Sequence, residues 1–456
     1  MTTAHLAGLT PDQVRRKSLI SGTVGAIIEW YEYTVYGTAA ALVFGTLFFP
    51  STEPGVSQIA ALASFGVGFL ARPVGAFVSG HLGDRIGRKS TLILTFLIMS
   101  ISTAAIGLLP TYQSVGFWAP VLLCVLRLTQ GFAVGGEWGG AAIIAVENAP
   151  KGRRGFFGAW PQIGVSCGLL LGTGAVAISQ AISGDQFIVW GWRLPFLVSV
   201  VLAAVGLYIR LNASESPAFL AAKAEAERKQ EKQKAPIPVV FKEHRRSLII
   251  ALFSRFAEAG NYYLFTVFLL SYVATTLKLP ASYGLVAVMI GSALNIAMIP
   301  VFGAISDKIG RKNTFFFGAA VITVSAWPIF AMIQTGNPFA IIAGVTIFLT
   351  LGHAAVYSVL PAFYCELFPT EVRYTGISVG YQTAAILLAG FTPVIASALV
   401  LWSGGTWPLV AIIVVTTLIA VAAVAAAKES KDLDLDTIGK TPATLNGEPK
   451  PRTRTR

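Results

Sequence analysis

Eight ionisable side chains stand inside long apolar stretches of this chain: Glu29, Glu32, Arg72, Arg127, Glu137, Arg255, Glu258 and His353. A charge at the centre of a bilayer costs about 2.5–3.5 kcal/mol on insertion scales, so each is a functional candidate by default. Glu29 and Glu32 are three residues apart, which sets them on one face of a helix. Two carboxylates so close do not both ionise cheaply, and desolvation raises their proton affinity further. That is the chemistry of a proton-binding site. The structural alternative is a glutamate that pairs with an arginine to hold helices together. Arg127 and Arg255 keep their charge at any working pH, and each presents a planar donor fork that fits a carboxylate.

Depth decides which of these groups meet. At 1.5 Å rise per residue, Glu29 lies about 18 Å and Glu32 about 22 Å from Lys17, and Arg127 about 24 Å from the end of its own apolar run. The three therefore share the middle of the membrane. Glu137 and Arg72 lie shallower, about 9 and 12 Å deep, which predicts an ion pair between their helices or, alternatively, a part for Glu137 in proton transfer. Arg255 and Glu258, also three apart, either neutralise each other or face a cavity as a substrate site, with Asn261, Tyr262 and Tyr263 continuing the polar path. His353 is the one mid-membrane histidine. It suits a proton relay, or it is a satisfied hydrogen-bonding group. The expected proton-coupling set is Glu29, Glu32, Glu137 and His353. The expected substrate-binding set is Arg127, Tyr33, Gln130, Gln162, Arg255, Glu258 and Asn261.

The elements that hold these groups follow from hydropathy. The chain has 456 residues, 54% of them hydrophobic and 12% charged, with a mean hydropathy of +0.68. That apolar fraction exceeds what a water-soluble fold hides. Runs long enough to span a bilayer fall near 20–45, 57–80, 91–109, 118–146, 158–181 and 188–210. A second set falls near 248–276, 283–305, 314–334, 338–364, 376–400 and 405–427. The expected fold class is an all-α integral membrane protein with twelve transmembrane helices in two six-helix bundles. The expected units are a first bundle at 1–210, a central loop at 211–247, a second bundle at 248–427 and a disordered tail at 428–456.

Of the 34 Lys and Arg residues, 29 fall in the N-terminal segment, the tail, the central stretch and the loops after every second run. By the bias of basic residues toward the cytoplasm, both termini and the central loop are expected there, facing anionic lipid headgroups. The net charge of +12 is assigned to those loops and not to nucleic acid. Cys124, Cys167 and Cys365 sit in apolar runs without metal-ligand spacing and read as packing residues. The first apolar run is too long for a cleavable signal peptide.

An internal repeat crosses the chain. Gly80-His-Leu-Gly-Asp84-Arg85-Ile-Gly87-Arg88-Lys89 recurs as Gly303-Ala-Ile-Ser-Asp307-Lys-Ile-Gly310-Arg311-Lys312, and Glu147…Arg154 recurs as Glu366…Arg373 at nearly the same offset. The spacing argues for a duplicated six-helix unit. In the loop, Gly80, Gly87 and Gly310 permit turns and close approach. Asp84 can sit at the N-terminus of a helix from the other half, where the helix dipole favours an anion. Arg85, Arg88 and Lys89 can pair with Glu147 or with lipid phosphates.

This repeated loop resembles the signature loop of the major facilitator superfamily. Glu29-Trp-Tyr-Glu-Tyr33, Arg72-Pro-Val-Gly, Arg127-Leu-Thr-Gln130-Gly, Gly135-Gly-Glu137-Trp-Gly-Gly140, Gly191-Trp-Arg-Leu-Pro-Phe196 and Glu215-Ser-Pro-Ala-Phe219 are similar to stretches of its metabolite:proton symporter branch. That branch holds shikimate-, α-ketoglutarate-, citrate- and proline/betaine-type carriers. Arg255-Phe-Ala-Glu258-Ala-Gly-Asn261-Tyr-Tyr263 looks most like the shikimate type. Where the branch often has an aspartate, this chain has Glu32, which keeps the charge and moves it by about one methylene.

The resemblance implies a latch between halves built from Gly80, Asp84, Arg85, Gly87, Arg88, Asp307, Gly310 and Arg311. It also implies proton-coupled uptake of a small polar metabolite, a carboxylate, by alternating access. The alternative is a zwitterionic osmolyte, against which the tail counts, since Asp432-Leu-Asp434-Leu alternates without heptads. No cofactor beyond the coupling proton, no metal and no catalytic group is expected, because nucleotide-binding, zinc and nucleophile-elbow motifs are absent from the sequence. The expected location is the cell membrane, and the expected form a monomer.

Overall fold

The computed structural model describes residues 11–433, 435 and 438, apart from 52, 87, 136, 212–235 and 371. The side chains of 80–90 and of Glu137 also lie outside the description. Twelve principal helical stretches follow in order: α1 (11–48), α2 (54–86), α3 (Arg88–Gly107), α4 (118–147), α5 (Arg154–Ser183), α6 (Leu194–Leu211), α7 (245–276), α8 (Ala281–Ile309), α9 (Arg311–Gln334), α10 (338–367), α11 (373–403) and α12 (Trp407–Ala425). A short helix, Pro236–Glu243, leads into α7. Among the described residues, nine helices are long and apolar enough to cross a membrane: α2, α4, α5, α6 and α8 to α12.

The other three fall short for local reasons. The first turns of α1 are polar and basic, and Glu29 and Glu32 follow. The apolar part of α3 is only Ile93–Gly107. In α7, a 3-10 turn at Arg255–Ala257 ends at Glu258, whose φ of −109° breaks the helix, and two π turns follow. A further π turn, Phe348–His353, interrupts α10. Each π turn slips the register of side chains and frees backbone groups, a device common at functional sites. Here these interruptions fall on the helices that carry the buried charges.

Small residues set how closely the helices approach. At Gly75 an added Cβ would overlap the Phe132 carbonyl oxygen, so α2 and α4 cross in direct backbone contact. Gly155 of α5 and Gly303 of α8 meet similarly, each within 2.7 Å of the other's carbonyl if given a Cβ. Large apolar side chains such as Phe77, Val324, Phe339 and Trp402 remain exposed on the outer surface, where a bilayer rather than water would cover them.

At the end of the molecule where α8 meets the start of α5, the first six helices are tied to the last six. Asp307, at the end of α8, accepts hydrogen bonds from the Gly155 and Phe156 backbone N–H groups at 2.8 and 2.9 Å. These lie in the first turn of α5, where N–H groups have no partner within their own helix. Arg311 holds Asp307 at 2.8 Å and Glu366 at 3.3 Å. Arg373 and Glu147 pair across the halves at 2.6 Å.

Of the tail at 428–456 that was expected to be disordered, only residues 428–433, 435 and 438 are described, and the rest lies outside the description. Residues 428–433 pack onto this end, and Ser430 and Leu435 are buried. Glu429 accepts from the Arg311 and Lys312 N–H groups at 2.9 and 3.0 Å, capping α9. Ser430 donates to Glu366 at 2.6 Å. Arg154 donates to the Leu433 carbonyl, and Arg373 to the Leu435 carbonyl at 3.2 Å. Backbone acceptors of this kind leave no trace in side-chain composition. Opposite this end, α2 closes on α11, where a Cβ on Gly66 would meet the Gly390 carbonyl at 2.7 Å.

Candidate functional site

Two small cavities flank Trp30 at the centre. One runs between α1 and α7 and is lined by Tyr33, Thr34, Tyr262 and Tyr263. The other is lined by Glu29, Trp138, Pro161 and Gln162. The 5.8 Å edge contact of Trp30 with Tyr262 and its 6.4 Å stacking on Tyr263 close the halves over the first.

The helical spacing that sets Glu29 and Glu32 near one face still gives them different surroundings. Glu29 borders the second cavity. Glu32 is fully buried against α3, where Ser100 donates to it at 2.7 Å and Thr103 at 2.6 Å. Gln130 Nε2 donates to the Thr103 hydroxyl at 2.7 Å, and Arg127 Nη1 donates to Gln130 Oε1. A buried carboxylate and a buried guanidinium are thus joined through two neutral side chains. Arg127 Nε reaches the Phe65 carbonyl at 3.3 Å, while Nη2 has no hydrogen-bond partner. Its guanidinium lies over the rings of Tyr33 and Tyr36 at 4.3 and 4.2 Å, contacts in which the ring faces attract the cation. Arg72 occupies the same wall, donating to the Tyr33 hydroxyl at 3.3 Å and lying over Phe69 at 4.1 Å. Its expected partner, Glu137, has a side chain outside the description.

The second charged group sits across the interface. Arg255 Nε donates to Glu258 at 3.2 Å, and Nη1 donates to the Tyr381 carbonyl. The guanidinium lies 3.2 Å from the Tyr381 ring centroid. Trp138 stacks on that ring at 3.7 Å and 12°. Two groups so near one centroid must occupy its opposite faces, so Tyr381 is held between a tryptophan of the first six helices and an arginine of the last six. Trp138 Nε1 also donates to Gln162 at 3.1 Å and to the Tyr357 hydroxyl at 3.3 Å. His353 Nε2 is 3.8 Å from Glu258, and its Nδ1 is 3.4 Å from Asn295 Nδ2.

Most of the site residues expected from the sequence therefore fall at or beside this centre: Glu29, Glu32, Tyr33, Arg127, Gln130, Gln162, Arg255, Glu258 and His353. Asn261 turns away, donating to the Ala257 carbonyl at 3.0 Å and to Thr417 of α12 at 3.4 Å. Of the loop residues, Asp307, Gly310 and Arg311 lie at the end where α8 meets α5, as described above. Gly310 turns at φ +103°, a conformation that suits glycine. Gly87 lies outside the described residues, and so do the surroundings of Gly80 and the side chains of Asp84, Arg85 and Arg88. Sequence reasoning missed Ser100, Thr103, Ser166, Asn295, Tyr357 and Tyr381. Asn295 had a usable signal, a lone amide in the apolar run Val286–Ile299.

The Major Facilitator Superfamily model matches residues 23–386. The chain belongs to this superfamily. As a member it is a multi-pass membrane transporter of small metabolites and not an enzyme. It is 40% identical over 400 residues to the shikimate transporter of Escherichia coli K12, covering 87% of this chain and 90% of that one. It is 36% identical over 397 residues to the proline/betaine transporter of the same strain, covering 84% and 78%. Among solved structures it resembles the proton:xylose symporter XylE bound to 6-bromo-6-deoxy-D-glucose. The TM-score is 0.72 and the identity 16%, covering 94% and 98% of the two chains. That likeness gives the superfamily its shape here: two bundles facing each other across a central site.

Proposed function

We propose that this transporter couples a proton to the uptake of a small organic carboxylate, in the manner of a shikimate-type carrier. The proposed arrangement has residues 1–210 and 248–427 as its two bundles, with both termini and the 211–247 stretch in the cytoplasm. The observation that carries the proposal is the path Glu32–Thr103–Gln130–Arg127, buried throughout. While Glu32 is ionised, the net charge of the path is zero. When Glu32 takes up a proton, Arg127 is left uncompensated in a medium that screens charge poorly. Its free Nη2 then offers a donor to an incoming anion. Proton and carboxylate each make the other's binding more favourable, and that reciprocity is the linkage a symporter uses. Glu29 and Gln162, on the neighbouring cavity, are the proposed second proton acceptor and substrate contact.

The test is uptake into proteoliposomes under an imposed pH gradient, with labelled shikimate, a dicarboxylate and betaine compared. The expected result is accumulation of an organic acid when the outside is acidic. Accumulation of betaine alone would replace the carboxylate with a zwitterion. Equal uptake with and without the gradient would remove the proton.

A further inference from the structure

The second charged group does not end at His353. It continues through Asn295 of α8 to Ser166 of α5, so five buried side chains from four helices form one line across the halves. Arg255 meets Glu258, Glu258 faces His353, His353 meets Asn295, and Asn295 Nδ2 donates to Ser166 Oγ at 2.8 Å. Helices α5 and α8 are the pair that Gly155 and Gly303 bring into backbone contact.

We infer that Asn295 is the positioning residue that fixes which nitrogen of His353 carries the proton and ties that choice to Ser166 on the opposite half. An amide nitrogen can only donate. Placed between Ser166 Oγ and His353 Nδ1, it requires an acceptor at Nδ1, so the neutral ring carries its proton on Nε2. That proton then points to Glu258. The other groups around the ring are the phenols of Tyr262 and Tyr357, at 4.8 and 5.0 Å between ring centroids, with Arg255 behind Glu258. Helix α9 contributes Ile322 against Gly352.

A proton added at Nδ1 would face an N–H donor. Half a turn of the Asn295 amide removes the conflict without a change of shape, because Oδ1 then accepts from both Nδ1–H and the Ser166 hydroxyl. Two buried atoms without a hydrogen-bond partner, Asn295 Oδ1 and His353 Nε2, mark the line as capable of a second arrangement. Protonation of His353 would thus reverse the hydrogen bond that joins α8 to α5. This deepens the proton-symport proposal and rests on it for its role in transport, though not for its geometry.

The experiment is nitrogen-15 NMR of the full-length protein labelled at histidine. The chain has four histidines; replacing His5, His81 and His244 by Gln leaves one ring. At a pH where that ring is neutral, the expected signature is Nε2–H. In Asn295→Asp, whose carboxylate can only accept while it is ionised, the proton should move to Nδ1. In Asn295→Leu, which fills the same space without hydrogen bonds, a mixture of tautomers is expected, with carboxylate uptake down tenfold or more. Ser166→Ala should loosen the tautomer preference from the far end. An Nδ1–H ring in the parent protein, or the same tautomer in all three variants, would overturn the assignment. Parent uptake indifferent to a pH gradient would instead overturn symport, while the tautomer result stands.

Discussion

Two fully buried arginines, Arg127 in the first six helices and Arg255 in the last six, are neutralised in different ways. Arg255 touches its carboxylate, Glu258, at 3.2 Å and is covered by Tyr381. Arg127 reaches Glu32 only through Gln130 and Thr103, and keeps one nitrogen without a partner. A contact pair holds its charge balance whatever enters the cavity. A pair spaced by neutral groups is compensated more weakly, because the Coulomb energy falls with separation. On this ground Arg127 is suited to respond to a proton on Glu32 and to an anion, while the Arg255–Glu258 contact keeps its own charge balance and leaves any response on that side to His353.

The largest effect that would break this contrast lies at Glu32. Glu32→Gln keeps size and hydrogen bonding but releases no proton. Accumulation driven by a pH gradient should be abolished, while exchange of labelled substrate across the membrane persists. Retained accumulation would pass the coupling role to Glu29, for which Glu29→Gln is the matching test, and would leave Glu32 as a packing group.

Next in size is the pair of lysine variants. Lysine keeps the charge and loses the planar fork. Arg127→Lys should weaken carboxylate binding by about 1.5–3 kcal/mol, the worth of one charge-assisted hydrogen bond, or roughly ten- to a hundredfold in affinity. Arg255→Lys should change affinity less and thermal stability more, because its partners are Glu258, the Tyr381 carbonyl and the Tyr381 ring. Binding isotherms and melting curves for both variants test the contrast. Equal loss of affinity in the two would erase it.

The sequence identified the charges better than their directions. Hydropathy alone marks a glutamate or arginine in an apolar run, since its cost there is large. It does not mark Ser100 or Thr103, because a hydroxyl in a membrane helix ordinarily bonds its own preceding carbonyl. The Thr103 hydroxyl also lies 3.0 Å from Met99 O, the local acceptor it would use in an isolated helix, and its contact with Glu32 appears only once α1 and α3 are packed. Asn261 shows the opposite failure. It sits in a polar cluster by sequence, but the irregular turn at Glu258 rotates it toward α12. Tyr381 was one aromatic among many until Trp138 and Arg255 were found on its two faces. The repeated loop was the most legible feature, because an aspartate recurring with its glycines constrains geometry as well as charge.

A smaller effect belongs to that loop. Asp307 places a carboxylate on the second and third N–H groups of α5, across the halves. An anion in that position is worth about 0.3–2 kcal/mol. Asp307→Asn should shift the conformational balance toward opening of the end where α8 meets α5 by that amount, with faster labelling of a cysteine placed on the inner wall of α5. Asp84→Asn tests whether the first copy of the repeat acts alike. Unchanged labelling in Asp307→Asn would reduce the contact to a cap without a conformational role.

The smallest expected effect is at Glu429, outside the membrane-spanning helices. Burial alone would raise its carboxyl pKa, but the backbone N–H groups of Arg311, Lys312, Ser430 and Lys431 outweigh it and hold the group below the usual carboxylate value. The sign of the pH dependence follows. A carboxylate whose folded value is depressed adds stability that is fully present above its unfolded value, about 4.3 for glutamate. That contribution disappears as pH falls through the lower folded value. The tail should therefore stay docked through the neutral range and loosen only in acid, below the ordinary glutamate range. Glu429→Gln removes the charge at every pH but leaves an oxygen acceptor for one or two of the N–H groups, so docking should weaken without being lost. Hydrogen exchange at Arg311, Lys312 and residues 428–433 measures this directly, and at neutral pH it should be faster in the variant. Because Ser430 and the Leu433 and Leu435 carbonyls still engage Glu366, Arg154 and Arg373, uptake should fall by less than in Asp307→Asn. A variant with parent-like exchange at neutral pH would place the tail's hold in those other contacts and not in the cap on α9.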